Sequence, residues 1–291
     1  METISYSMAR LAALVPYPPR DANKYTRGRL VCAVGCDRYP GAAVLGSRGA
    51  EVMGAGYTQV ITDASVADHV RAANPSVVVS VWPDVDPAQL PPAREGHPCA
   101  YVVGSGYDAG DSMTKIRTRL VLENAQAPVL LDAGSLDAAT SQKLRDILER
   151  RAHDGFANVF TPHGGEAARM ARPLGIETDD APELARQLAR AYCGTVMLKG
   201  PVTYVCDGET VVRMDEGTAA LAKAGTGDVL AGMTGALLAQ GLSPLDACVL
   251  GATLHAFAGQ EAAKRLTDIC VRAEDVIASI PQALMRLAQA G

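Results

Sequence analysis

The chain has 291 residues, with 27 Lys and Arg against 32 Asp and Glu, for a formal charge of −5 at pH 7. That acidic excess argues against a nucleic-acid protein, which carries a basic balance or patch. A hydrophobic share of 48% excludes intrinsic disorder, and the length supplies a core that needs no disulfide staple.

Compartment follows from what the N-terminus and the cysteines lack. The patch Leu11 to Val15 stops at Pro16, with no continuous apolar region and no small-residue cleavage site, so no signal peptide is read. No apolar run reaches the roughly 18 residues of a membrane span. The 7 cysteines are odd in number and form no CxxC pair, which suits reduced thiols in a cytoplasmic protein and gives no zinc knuckle.

From residue 29 onward, short apolar runs alternate with longer Ala-rich segments. Strands are expected at 29–34, 58–61, 76–81, 100–103, 128–132, 158–161 and 195–198. Most are unbroken Val, Leu and Ile runs, as when both faces of a sheet are covered. Helices are expected near 42–54, 64–73, 112–126, 137–151, 165–172 and 182–192. This rhythm predicts an α/β fold, a mostly parallel central sheet with helices on both faces. Segments 202–206 and 210–214, joined by Asp207-Gly208, read as a hairpin at the sheet edge. Helices follow at about 227–240, 244–265 and 273–289. The Pro-rich stretch 82–98 reads as a surface loop, or a short helix from Pro87, within one domain over 1–291.

Ligands of open α/β sheets bind beyond the carboxyl ends of the strands. Gly35, Gly104 and Gly106, Gly164-Gly165 and Gly200 each follow a predicted strand, so four clusters fall on one edge. Gly104 to Gly110 has the spacing GxGxxxG and lies after the fourth strand, which does not fit a dinucleotide fingerprint. No Gly-Lys dipeptide occurs, so a P-loop is absent. The most specific segment is AKAGTGDVLAGMTGALLAQG, residues 222–241. Gly225, Thr226 and Gly227 present backbone N–H groups at a helix start, an arrangement suited to a phosphate or oxyanion. Asp228 in the first turn is an ordinary cap or, beside that anion loop, a general base for a substrate hydroxyl. Lys223 nearby is a solvated lysine or a phosphate contact. His163 three residues before Glu166 on the ligand edge favours a functional role, whereas His255 reads as packed within a helix.

AGTGDVLAG resembles the signature of the ADP/ATP-dependent NAD(P)H-hydrate dehydratases, members of the ribokinase-like superfamily. The resemblance covers nearly the whole chain in order. Lys24 to Gly28, Gly41-Ala42-Ala43, Leu131-Asp132-Ala133, Thr161 to Glu166 (TPHGGE), Leu198-Lys199-Gly200 and the C-terminal helices all resemble family segments. It implies a ribokinase-like three-layer sandwich and a lyase that repairs hydrated NADH and NADPH, NAD(P)HX, at the expense of ADP or ATP. Phosphorylation of the ring hydroxyl followed by elimination of phosphate would turn a poor leaving group into a good one.

Carried over, the resemblance makes Asp228 the catalytic base and Gly225, Thr226 and Gly227 the anion hole. Ala42, Gly106, His163 and Asp228 would contact NAD(P)HX. Lys199, Gly200, Pro201, Val202, Thr203 and Gly227 would contact ADP or ATP. Glu166 would organise magnesium through water. Relatives often form homo-oligomers, and some carry an epimerase domain for which 291 residues leave no room, so a separate epimerase is expected. No nucleic acid or membrane partner is expected. This chain has GSGYD where the family commonly shows GPGLG, LDAGSLD for LDADAL, and Gly164 where the TPHPGE motif has proline. Two other readings stand beside this one. A small-molecule kinase acting on a vitamin-precursor hydroxyl would use the same loop and base, and a non-catalytic nucleotide sensor would need no base at all.

Overall fold

The computed structural model describes residues 3–290. Nine strands form one sheet: β1 (Arg29–Ala33), β2 (Tyr57–Thr62), β3 (Val78–Val81), β4 (Cys99–Val103), β5 (Val129–Leu131), β6 (Asn158–Phe160), β7 (Thr195–Leu198), β8 (Thr203–Cys206) and β9 (Val211–Met214). Their order is β3-β2-β1-β4-β5-β6-β7-β8-β9. Pairing is parallel from β3 through β7, and the expected hairpin β8–β9 adds two antiparallel strands at one edge. Ile4 pairs with Val212, so the N-terminal segment lies along the outer strand of that hairpin.

The helices are α1 (Met8–Ala13), α2 (Pro40–Val52), α3 (Ala64–Ala73), α4 (Ser112–Asn124), α5 (Gly134–Ala139), α6 (Gln142–His153), α7 (Gly164–Ala171), α8 (Ala181–Ala191), α9 (Thr226–Ala239), α10 (Pro244–Leu266) and α11 (Ala273–Ala290). They cover both faces of the sheet. Leu30, Cys32, Ala100 and Val102 point into one core with α2, α9, α10 and α11; Val31, Ala33, Tyr101 and Val103 point into the other with α4, α6 and α8. Alternate residues of one strand thus serve opposite cores, which is why these strands read as continuous apolar runs. The architecture is the three-layer α/β sandwich expected from the strand rhythm.

Two local differences have simple causes. The helix expected at 137–151 is split into α5 and α6, because Thr140 and Ser141 turn the chain and Ser141 occupies the N-cap of α6. Helix α1 spans 6 residues, too few for its periodicity to stand out, and begins on a Ser7 cap whose oxygen accepts from the Arg10 N–H. Stretch 82–98 contains two short 3-10 turns, Trp82–Asp84 and Pro87–Gln89.

What positions the site is the crossing of α2 and α9. Gly46 and Gly49 of α2 face Val229 and Gly232 of α9, and a Cβ on Gly232 would overlap the Gly46 carbonyl. Their backbones therefore touch, and the N-terminal turns of both helices open on the same sheet edge.

Candidate active site

Chain direction reverses around β1. It runs outward to β2 and β3, then crosses back to β4 on the other side of β1. The carboxyl ends of β1 and β4 diverge at this switch point, where open α/β sheets form their ligand crevice. The Gly35 N–H donates to the Ser105 carbonyl at 2.8 Å, joining the loop after β1 to the loop after β4. Gly106 takes φ 72°, and a Cβ there would stand 2.5 Å from Ala42 Cβ and 2.9 Å from the Tyr39 carbonyl. Only glycine meets both demands. Ala42 and Gly106, predicted for the same ligand, are thus in contact.

A second group stands at the ends of β5, β6 and β7. Asp132, buried at the end of β5, accepts from Ser105 Oγ at 2.9 Å, Thr161 Oγ1 at 2.7 Å and Lys199 Nζ at 3.1 Å. The three donors come from the ends of β4, β6 and β7. The chain leaves Asp132 through Ala133 at φ 46°, a strained backbone of the kind held in place at functional sites. Burial works against the Lys199 charge, but Asp132, Glu166 and Asp228 outweigh it and hold the ammonium above its ordinary range. Lys199 Nζ also lies 3.7 Å from where a Cβ on Gly227 would stand, so this cation borders the glycine loop.

Gly225 caps α9 in the left-handed region at φ 93°, and a Cβ there would sit 2.7 Å from Leu45. Thr226 Oγ1 bonds back to the Leu221 and Lys223 carbonyls at 2.8 and 2.9 Å, fixing the loop from behind. The Asp228 side chain makes no hydrogen bond to protein among the described residues. Burial first, then the Asp132 charge, raise its pKa to about 7, against the pull of Lys199. A carboxyl group with its proton affinity near neutrality, beside a helix N-terminus and a lysine, can take a proton from a bound hydroxyl.

His163 is the N-cap of α7 in a reciprocal box. Its Nδ1 accepts from the Gly165 N–H at 3.0 Å, and Glu166 Oε2 accepts from the His163 N–H at 2.8 Å. The ring therefore satisfies backbone, and its exposed Nε2 lies 3.6 Å from Glu166 Oε2. The His163 strand end pairs with Lys199, whose N–H donates to the Pro162 carbonyl at 2.8 Å. Lys199 to Thr203 form the tight turn from β7 into β8, where Thr203 Oγ1 donates to the Gly200 carbonyl at 3.4 Å. The Gly217 segment packs directly on Pro201.

Among the described residues, no cluster of three His, Cys, Asp or Glu side chains could cage a metal. Buried Glu166 offers one carboxylate, already half engaged by its own cap. That donor set fits magnesium, which keeps several waters and takes one or two carboxylates with substrate phosphates. Lys223 is turned to other use, since its Nζ donates to the Ile269 carbonyl at 2.6 Å. His255 lies buried in α10, and burial first holds its pKa down to about 4, leaving a neutral ring under the Thr226 turn. The sequence alone assigns no role to Asp132, Ser105 or Thr161. A carboxylate ending the apolar run Val129–Leu131 on the ligand edge was the available signal.

A family model described as NAD(P)H-hydrate dehydratase matches residues 30–282. The bifunctional NAD(P)H-hydrate repair enzyme Nnr of Mycobacterium tuberculosis is 38% identical over 246 residues, covering 83% of this chain and 47% of its own length. The chain thus spans about half the length of that bifunctional relative. The ADP-dependent (S)-NAD(P)H-hydrate dehydratase of Xanthomonas campestris is 31% identical over 284 residues, 94% of this chain and 93% of its own. The crystal structure of the ADP/ATP-dependent NAD(P)H-hydrate dehydratase from Bacillus subtilis, co-crystallised with ATP and Mg2+, matches with a TM-score of 0.84 at 25% identity, covering 99% of each chain.

Proposed function

The chain belongs to the NAD(P)H-hydrate dehydratase family, and on that premise we propose that it converts NAD(P)HX back to NADH and NADPH at the expense of ADP or ATP. The observation that carries the reading is Asp228, poised near neutrality in the first turn of α9 behind the Gly225–Gly227 loop and beside Lys199. A binder has no need of a base so placed, which weighs against the sensor reading.

In this reading the adenine nucleotide lies along the turn from Lys199 to Thr203, its terminal phosphate on the N–H groups of Gly225, Thr226 and Gly227. Lys199 offsets the phosphate charge. The hydrated ring approaches from the Ala42 and Gly106 side, with His163 at its border. Asp228 accepts the proton of the ring hydroxyl as that oxygen takes the terminal phosphoryl group, whose P–O bond to the nucleotide breaks to release AMP from ADP or ADP from ATP. The phosphate ester then leaves as inorganic phosphate, and the ring loses a proton to regain its double bond. Bound magnesium supplies neutralisation of phosphate charge, and Glu166 would hold it through water. The single nine-stranded unit would carry the whole reaction, in the cytoplasm, with an epimerase acting on the same metabolite.

The test is recovery of NADH absorbance when the protein meets hydrated NADH, magnesium and each nucleotide separately. No recovery with either nucleotide overturns the reading. Accumulation of a stable phosphorylated product without hydrate turnover would favour the kinase instead. Size-exclusion chromatography with light scattering reads the expected homo-oligomer.

A further inference from the structure

The loops that carry Ala42 and Gly106 are tied by more than the backbone bond from Gly35 to Ser105. Arg38 Nη1 donates to Asp108 Oδ2 at 2.8 Å, across the mouth of the β1–β4 crevice. Each partner is anchored in its own loop. Arg38 lies over the ring of Tyr39, 5.3 Å from its centroid, and the Tyr39 carbonyl abuts Gly106. Asp108 Oδ1 accepts from the Gly110 N–H at 2.9 Å, and its carbonyl accepts from Thr114 Oγ1 at 2.6 Å at the start of α4. Asp108 closes the GSGYD segment that follows β4. The Gly110 N–H first and then Arg38 hold the Asp108 carboxyl below its ordinary range, and Asp108 in turn holds the Arg38 guanidinium above its own.

We propose that Arg38 and Asp108 are a positioning pair, a clasp that holds the loop after β1 against the loop after β4 and so tunes affinity for the hydrated dinucleotide. This rests on the reading that Ala42 and Gly106 border the dinucleotide. The clasp touches neither the glycine loop nor Lys199, so its influence falls on one substrate only. Asp108→Asn keeps an oxygen for the Gly110 N–H while removing the charge, which separates the clasp from the local turn.

The test is steady-state kinetics of the full chain with hydrated NADH and with nucleotide, joined to hydrogen exchange over residues 35–39 and 104–110. Arg38→Ala and Asp108→Asn should each raise KM for the hydrate about two- to fivefold, the range of an exposed ion pair. Their kcat and nucleotide KM should stay within about twofold. The double variant should be no worse than either single one, Arg38→Lys should recover part of the loss, and amide protection should fall in both loops. Unchanged hydrate KM, an equal rise in nucleotide KM, or additive losses would overturn the clasp. A wild-type chain that turns over no hydrate, yet loses loop protection in Arg38→Ala, would sink the reading of the site and spare the clasp's structural part. A chain that turns over hydrate with variants of wild-type KM would do the reverse.

Discussion

Lys199 reaches across the end of β6 to Asp132, 67 positions earlier in the chain, and holds its carboxylate at 3.1 Å. The same Asp132 oxygen accepts from Thr161 at the end of β6, so three neighbouring strand ends are tied to one carboxylate. Lys199 and Asp132 act on Asp228 with opposite sign, the lysine lowering its pKa and the aspartate raising it.

That opposition predicts a diagnostic pair of pH profiles. Asp228 must be ionised to accept a proton, so kcat/KM for the hydrate should rise with pH and level off above about 7. Lys199→Ala should move this acid limb to higher pH and weaken nucleotide binding. Asp132→Asn should move it to lower pH. Limbs that shift together in both variants would refute the electrostatic account.

Asp228→Asn should abolish hydrate turnover by a factor of about 100 or more, the low end of what a positioned base supplies. Nucleotide affinity, measured by calorimetry, should stay within a few-fold, because the Gly225–Gly227 N–H groups and Lys199 remain.

The same substitution should also stabilise the protein in alkali. The Asp228 pKa lies near 7 in the folded chain and near the ordinary 3.8 when unfolded, so folding favours its protonated form. This group's contribution is fully present below about pH 4 and is lost as pH rises through about 7. An Asn pays nothing on ionisation, since it has none. Melting curves of Asp228→Asn should therefore exceed wild type by about 1 kcal/mol or more at pH 8 and by much less at pH 5.

Gly164→Pro should raise stability by roughly 0.4–1 kcal/mol by restricting the unfolded chain. Gly164 is the first residue of α7, nothing stands within 4 Å of the Cβ it lacks, and His163 before it is extended at φ −82° and ψ 170°. A thermal melt should show a rise of about 1–3 °C. A lower melting point would mean that the turn needs the freedom glycine gives.

Gly106→Ala should destabilise by about 1–3 kcal/mol, since it meets both a φ of 72° and the Ala42 methyl. Chemical denaturation reads this directly, and any surviving enzyme should have a raised KM for the hydrate.

Sequence alone reached much of this. The inner parallel strands were legible because runs such as Leu30 to Val34 are buried on both faces, and the antiparallel pair because Asp207-Gly208 marks its turn. The glycine turn at the start of α9 was legible because Gly225, Thr226, Gly227 and Asp228 are consecutive. Contacts between distant segments were not. Lys199 and Asp132 are 67 positions apart and Arg38 and Asp108 are 70 apart, and only the strand order brings each pair together. Nor did sequence show that Glu166 spends one oxygen on capping its own helix, because that depends on the backbone geometry at His163.

The seam between α2 and α9 has its own consequence. With Gly46 and Gly49 seated against Val229 and Gly232, the two helices form one rigid unit whose N-terminal turns carry Ala42 and Asp228 on the same sheet edge. The separation between Ala42 and Asp228 is thus set largely by close backbone contact along the shafts. A single methyl group added at Gly49 would pry the shafts apart and leave every reactive group present but out of register. Inactivating changes in such a protein should therefore gather along this glycine seam as well as at the reactive side chains themselves.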